Sequence, residues 1–235
     1  YENCEISYNK AASIGGGMII TGTEDQPTSV VMKNVQVIGN EAKEGGGVRT
    51  QDRFQSFEAV GCTFKDNKAT SFAGGLLIFF GLENAKVKNC LFENNTAGTQ
   101  GGGMYVMSAL VNCEVTGCTF KGNTAGTEGG GLWSQGGFLL KDCVFDGNHA
   151  EQAGGGICTD VFANTRVRHP VLYVEDCVVT NNTSGTNGGG IYADTASYIS
   201  ISDTEITGNT SKLEGGGLWI VDDSKLRNVT ITGNR

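Results

Sequence analysis

Residues 118–131 read Cys118-Thr119-Phe120-Lys121-Gly122-Asn123-Thr124-Ala125-Gly126-Thr127-Glu128-Gly129-Gly130-Gly131, and residues 143–156 return to the same frame as Cys143-Val144-Phe145-Asp146-Gly147-Asn148-His149-Ala150-Glu151-Gln152-Ala153-Gly154-Gly155-Gly156. Working outward, the frame C-x-F-x-x-N, with hydrophobic substitutes, ends at Asn9, Asn40, Asn67, Asn95, Asn123, Asn148, Asn182, Asn209 and Asn234. The intervals run from 25 to 34 residues. A glycine block follows each of the first eight: Gly15–Gly17, Gly45–Gly47, Ala73–Gly75, Gly101–Gly103, Gly129–Gly131, Gly154–Gly156, Gly188–Gly190 and Gly215–Gly217. Self-similarity at this period is the mark of stacked repeats, each burying its apolar face against the next.

The columns of this alignment fix which side chains face in. Cys62/Phe64, Cys90/Phe92, Cys118/Phe120, Cys143/Phe145 and Cys177/Val179 hold the first and third motif positions, with polar residues between and after them. That period of two belongs to a half-buried strand. It returns after the glycines, with Met18, Val48, Leu76, Met104, Leu132, Ile157, Ile191 and Leu218 facing in. It appears again before the motif, at Ala59, Val87, Val115, Leu140, Val174, Ile201 and Leu226. Three short strands per repeat, with no helical periodicity, predict an all-β chain: a right-handed parallel β-helix of nine coils, roughly 40 Å long at ~4.8 Å per coil. Small residues follow each Asn, from Ala11 and Ala42 to Ser184 and Ser211, as a tight inward corner requires. The asparagines are expected to form a ladder of amide hydrogen bonds from coil to coil.

Composition narrows function. The 235 residues include 37 glycines, carry a net charge of −8, and hold no cluster of lysine or arginine. Nucleic acid and anionic membrane surfaces call for a basic footprint, so neither is an expected partner. No run of about 18 apolar residues is present to cross a bilayer. A motif frame at each end predicts that residues 1–235 are one β-helix segment of a longer, processed chain.

Blocks such as Gly154-Gly155-Gly156-Ile157, alternating with Phe64-Lys65-Asp66-Asn67 motifs, resemble the repeats of chlamydial polymorphic outer-membrane proteins, within a broader set of right-handed β-helix surface proteins. The resemblance covers the whole chain. It implies an exported, surface-displayed stalk, often adhesive, with no cofactor and no family-wide catalytic residues. The chain departs from it in having Phe at the third position of only four of nine motifs.

Four groups of residues are candidates for chemistry or contact. Asp160 and Asp194 each lie four residues beyond a glycine block and are expected to stack one coil apart, with Arg166, Arg168 and His169 on a nearby insertion. Stacked acids of this kind serve acid/base cleavage of polysaccharides, which makes a secreted lyase or hydrolase the alternative to a non-enzymatic scaffold. The bland reading is that both aspartates open surface loops. Asp142, Asp176 and Asp203 share a slot with Asn and Gly, the signature of a left-handed turn, against a bridging Ca²⁺ as the functional alternative. Six of the eight cysteines occupy the inward first motif position (Cys4, Cys62, Cys90, Cys118, Cys143, Cys177), where a packed thiol ladder and inter-coil disulfides are both open. Cys158 is expected to face outward and to be the reactive thiol.

Two positions past each glycine block the residues are Ile19, Arg49, Leu77, Tyr105, Trp133, Cys158, Tyr192 and Trp219. This outward column is expected to be exposed and its aromatics, Tyr105, Trp133, Tyr192 and Trp219, to anchor a partner. The bland reading is that a loop covers them or that they stack to stiffen the rod. The partners expected are other copies of the chain, or neighbouring coils, with host or matrix glycans as a second class. Location is expected to be extracellular or at the cell surface. For a eukaryotic source, N-glycans are expected on Asn94, Asn181 and Asn228, but not on the ladder residues Asn182 and Asn209.

Overall fold

The structure, a computed structural model, describes every residue except 23–27, 52–53, 80–81, 108–111, 136, 161–170, 195–197 and 221–223. Among the described residues there is no helix. Every named strand pairs in parallel with its counterpart one repeat away. Four sheets result. The motif sheet has nine strands, from Glu5–Ser7 to Thr230–Thr232, and the corner sheet has seven, from Glu41–Ala42 to Thr210–Ser211. The post-glycine sheet has eight, from Met18–Thr21 to Leu218–Trp219, and the pre-motif sheet eight, from Thr28–Lys33 to Lys225–Arg227. The chain visits them in turn, once per coil.

Two expectations are refined here. The nine motif strands are all present, but turns carrying all four strands number seven, with partial turns at each end. Each of these seven turns also has a fourth strand, the two-residue corner element typified by Thr124–Ala125. It holds the small-residue column: Ala42, Ala69, Ala97, Ala125, Ala150 and Ser184 are buried there.

The core is a set of columns along the rod axis. Phe64, Phe92, Phe120 and Phe145 are fully buried and pair in register. Their rings stack at 4.8, 4.6 and 4.6 Å with interplanar angles of 2–3°. The asparagine ladder is equally regular. Asn123 Oδ1 accepts from the backbone N–H and the Nδ2 of Asn95, both at 3.0 Å. Its own Nδ2 donates to Asn148 Oδ1 and to the Phe92 carbonyl, both at 2.9 Å. The amide–amide link repeats from Asn9 to Asn234. Each interior amide thus has all its groups satisfied, as a polar side chain in a dry core must.

Beside it runs a thiol column. Cys62, Cys90, Cys118, Cys143 and Cys177 are buried and unpaired by disulfides, so of the two open readings the structure holds the thiol ladder. The N–H of Cys62 donates to Cys90 Sγ and that of Cys90 to Cys118 Sγ, each at 3.4 Å. Thr204 Oγ1 takes the same part for Cys177. The thiols therefore also accept backbone hydrogen bonds. Cys4 lies in the column but on the first coil, and is exposed.

The glycine blocks are set by backbone crowding. Gly129 sits at φ +65°, and a Cβ on Gly130 would meet the carbonyl oxygens of Gly155 and His149 on the next coil. Left-handed backbone explains Gly129, and close approach explains Gly130. The Asp142, Asp176 and Asp203 slot is a left-handed turn too, at φ 52–53°. Lys141 pairs with Asp176 at 3.3 Å, and Arg227 with Asp203 at 2.7 Å. Among the described residues no cluster of three or more His, Cys, Asp or Glu is arranged to hold a metal ion.

Candidate functional site

The outer face of the post-glycine sheet carries the features that repetition alone does not explain. Its first outward column pairs Arg49 with Leu77, Leu77 with Tyr105, Tyr105 with Trp133, Trp133 with Cys158, Cys158 with Tyr192 and Tyr192 with Trp219. The expectation that this stripe is exposed is corrected for its centre. Tyr105 and Trp133 are 1% and 0% exposed, and Leu77, Cys158 and Ala73 join them in a second apolar cluster outside the tube. Phe72, Phe79 and Met107 pack against it. Period-two alternation tells which residues point away from the tube; it does not tell what covers them there. Tyr192 and Trp219 are half-buried and remain accessible. Tyr105 stacks on Trp133 at 4.4 Å and Tyr192 on Trp219 at 4.6 Å, with Cys158 between the pairs.

Cys158 is likewise not the reactive thiol expected. It is fully buried, and burial, with Glu128, Asp160 and Asp194 nearby, pushes its thiol well above the ordinary range. Little thiolate exists at neutral pH under such conditions. Burial raises the Tyr105 phenol in the same way, helped by Asp160, Glu128 and Glu44.

A pairing rule missed in the sequence holds three members of this column, Arg49, Trp133 and Trp219. Glu44 binds Arg49 Nη1 at 2.7 Å, while Glu128 and Glu214 accept from the indole Nε1 of Trp133 and Trp219, both at 3.2 Å. In each case the acid precedes the glycine block and its partner lies five residues on. Glu-Gly-Gly-Gly-x-Arg/Trp is legible at 44, 128 and 214. The same slot is Gln100 before Tyr105, Asn187 before Tyr192 and Ala153 before Cys158. Acids thus accompany N–H donors, amides accompany phenols, and a small residue accompanies the thiol. Gln100 Nε2 also donates to Glu128 Oε2 at 2.8 Å, linking adjacent coils. Arg49 is nearly buried, and its guanidinium lies 4.5 Å from the centre of the Phe79 ring.

The second outward column is Met107, Gln135, Asp160 and Asp194, joined by backbone bonds from each N–H to the preceding coil. Asp160 and Asp194 therefore do stand one coil apart, half-buried, and the Tyr192 hydroxyl donates to Asp194 Oδ1 at 3.4 Å. Gln135 beside them is 7% exposed, and its Oε1 has no hydrogen-bond partner. The structure brings the two aspartates together; His169, with Arg166 and Arg168, lies outside the described residues.

Elsewhere, His149 on the corner sheet is half-exposed, with Nδ1 2.8 Å from Thr183 Oγ1 and Nε2 3.3 Å from Glu151 Oε1. On the pre-motif sheet, Val171, Tyr173, Tyr198, Ser200 and Lys225 line a shallow cleft of ≈ 420 Å³ in which Tyr173 is 45% exposed. Asn94, Asn181 and Asn228 are exposed, whereas Asn182 and Asn209 are fully buried. No described helix is long and apolar enough to cross a membrane.

The family model described as "Right handed beta helix region" matches residues 1–120 and 81–235, which together span the chain. No curated protein and no solved structure matches it.

Proposed function

From the premise that this chain belongs to the right-handed β-helix family, a fold that does not by itself assign a chemistry, we propose that it is a non-enzymatic extracellular scaffold. It serves as a surface stalk or filament subunit with an adhesive role. One observation carries the reading: the ladder asparagines from Asn9 to Asn234, buried from Asn40 to Asn209, commit their amides to links between coils. Polar side chains invested this way supply axial stiffness and leave none of their groups for a ligand. The likeness of the glycine blocks and F-x-x-N motifs to chlamydial polymorphic outer-membrane repeats supports surface display. Contact falls to the accessible aromatics, Tyr192 and Trp219 with Tyr173, against other copies of the chain or matrix glycans. No cofactor takes part.

The second reading, a secreted polysaccharide lyase or hydrolase, has a specific observation in its favour: Asp160 and Asp194 stand in register on successive coils beside Tyr192. The two readings separate in one assay. The purified chain and its Asp160→Ala variant are incubated with anionic and neutral polysaccharides and scored for new chain ends. No turnover, together with adhesion to glycan-coated surfaces or rod-like assemblies by electron microscopy, supports the scaffold. Turnover abolished by Asp160→Ala overturns it.

A further inference from the structure

Five asparagines open the tripeptide Asn-x-Ser/Thr: Asn94, Asn181, Asn182, Asn209 and Asn228. The structure divides them by what their Nδ2 hydrogens are already doing. Asn182 donates both, to Asn209 Oδ1 and to the Phe145 carbonyl, each at 2.9 Å. Asn209 donates both, to Asn234 Oδ1 at 3.0 Å and to the Val179 carbonyl at 2.9 Å. Both residues are 0% exposed. Asn181 and Asn228 are exposed and show one side-chain donation each, to Asp146 and Asp203, at 3.0 Å. Asn94 is exposed, with its Oδ1 packed over Gly122 of the next coil. All three sit in left-handed turns at φ 53–57°.

N-glycosylation converts the amide NH₂ to a secondary amide. The Nδ2 bonds to C1 of a lipid-pyrophosphate-linked oligosaccharide, the C1–O bond to pyrophosphate breaks, and one Nδ2 proton leaves with the lipid pyrophosphate. A single N–H remains. That is enough for the exposed donations of Asn181 and Asn228. It is one too few for Asn182 or Asn209, whose orphaned buried acceptor and lack of space would break the ladder. From this hydrogen count we infer that the chain is built to carry N-linked oligosaccharides at Asn94, Asn181 and Asn228 and nowhere on its ladder. Asn94 and Asn181 lie three coils apart on the turn joining motif and corner sheets, and Asn228 on the turn before the last motif strand. The outer face of the post-glycine sheet is left free for contact.

The inference rests on the export part of the proposed function, so the test supplies export. The chain is fused to a cleavable secretion signal, secreted from a eukaryotic cell line, and its glycopeptides are read by mass spectrometry with and without peptide-N-glycosidase. Sugar on Asn94, Asn181 and Asn228, with Asn182 and Asn209 bare, is expected. The N181Q variant should lose one glycan without gaining one at Asn182, although Asn182-Thr183-Ser184 stays intact as an acceptor. Secreted, folded protein bearing sugar at Asn182 or Asn209, or bare at all three exposed sites, overturns the inference. A bare chain from this system counts against the sites and leaves the scaffold reading standing.

Discussion

Two aromatic columns run along this rod, one inside the tube and one outside, and they are built on different rules. Inside, Phe64, Phe92, Phe120 and Phe145 repeat one residue at one frame position and stack within 2–3° of parallel. Outside, the column passes from Arg49 through Leu77, Tyr105, Trp133 and Cys158 to Tyr192 and Trp219, and its stacked pairs tilt by 14° and 19°. Over these four coils the tube gives each inner ring the same kind of neighbours, so one residue suits all four. Outer residues meet different neighbours from coil to coil, and Arg49, Trp133 and Trp219 are each held by a glutamate five residues back. Repetition therefore specifies the inner column, and pairwise chemistry the outer.

If so, the most damaging change is inside and polar. Asn148→Ala removes the acceptor for the backbone N–H and Nδ2 of Asn123, both buried. At about 1–3 kcal/mol per orphaned group, the loss should reach about 2–6 kcal/mol by denaturant unfolding. Phe120→Ala follows at about 3–5 kcal/mol, the scale of a large core truncation, and Phe92→Ala should match it. Near-zero loss across the phenylalanine series would mean that the inner column is misassigned.

High pH should loosen both columns. Burial raises the Cys113 thiol inside and the Cys158 thiol outside. A group whose folded pKa lies above its unfolded value contributes fully below the unfolded pKa, about 8.5 for a thiol, and that contribution is lost as pH rises toward the folded value. Cys62 runs the other way: a hydrogen bond from the Cys90 thiol brings it to about 7 against the burial penalty. Its contribution grows as pH rises from about 7 toward the unfolded value, while the raised groups weaken the fold only above that value, so the urea midpoint in reductant should rise slightly from pH 6 to 8 and be lower at pH 10. A midpoint unmoved at pH 10 would mean that these groups do not ionise with the burial seen here.

How much of this was legible in the sequence follows the same division. The asparagine ladder and the Phe64–Phe145 stack were readable because identical residues recur at a fixed period. The register of Asp160 with Asp194 was readable for the same reason, from their offset to the glycines. The corner strand was not, because two residues such as Thr124–Ala125 are too short to show alternation. The burial of Tyr105, Trp133 and Cys158 was not, because a facing rule carries no information about a second layer outside the tube. The Glu-Gly-Gly-Gly-x-Arg/Trp pairing is present in the sequence at 44, 128 and 214, but the glycine repeat by itself does not reveal it, because the two partners lie on either side of the block.

That pairing gives the finer comparison between the buried and open parts of the outer column. Glu128→Ala takes away the carboxylate that accepts from the Trp133 indole and the Gln100 amide. A bond to a charged group is worth about 1.5–3 kcal/mol, and these two are partly buried, so a loss near the lower end of that range is expected. Glu214→Ala removes the same bond at an exposed position, where solvent replaces it, and should cost well under ~1 kcal/mol. Equal losses would mean that the two ends of the column are not different environments.

A small effect on stability is expected where the effect on function should be largest. Trp133 and Trp219 share a column, a preceding glutamate and an indole hydrogen bond, yet Trp133 is sealed and Trp219 is half-buried near the end of the sheet. Trp133→Ser empties a site enclosed by Tyr105, Leu77 and Cys158, and should unfold the chain more easily by about 3–5 kcal/mol. It therefore cannot report on a contact face. Trp219→Ser exposes one face of Tyr192 and removes a ring from solvent, and should lower stability by no more than about 1 kcal/mol. Aromatic side chains anchor interfaces because they present a large apolar area at low entropic cost. If Tyr192 and Trp219 form such an anchor, Trp219→Ser should weaken self-assembly or glycan attachment roughly tenfold while the coils stay folded. The comparison is read by sedimentation velocity and by binding to immobilised glycans, with circular dichroism confirming the fold. Assembly and attachment equal to those of the parent chain would leave the outer column a stiffening device and nothing more.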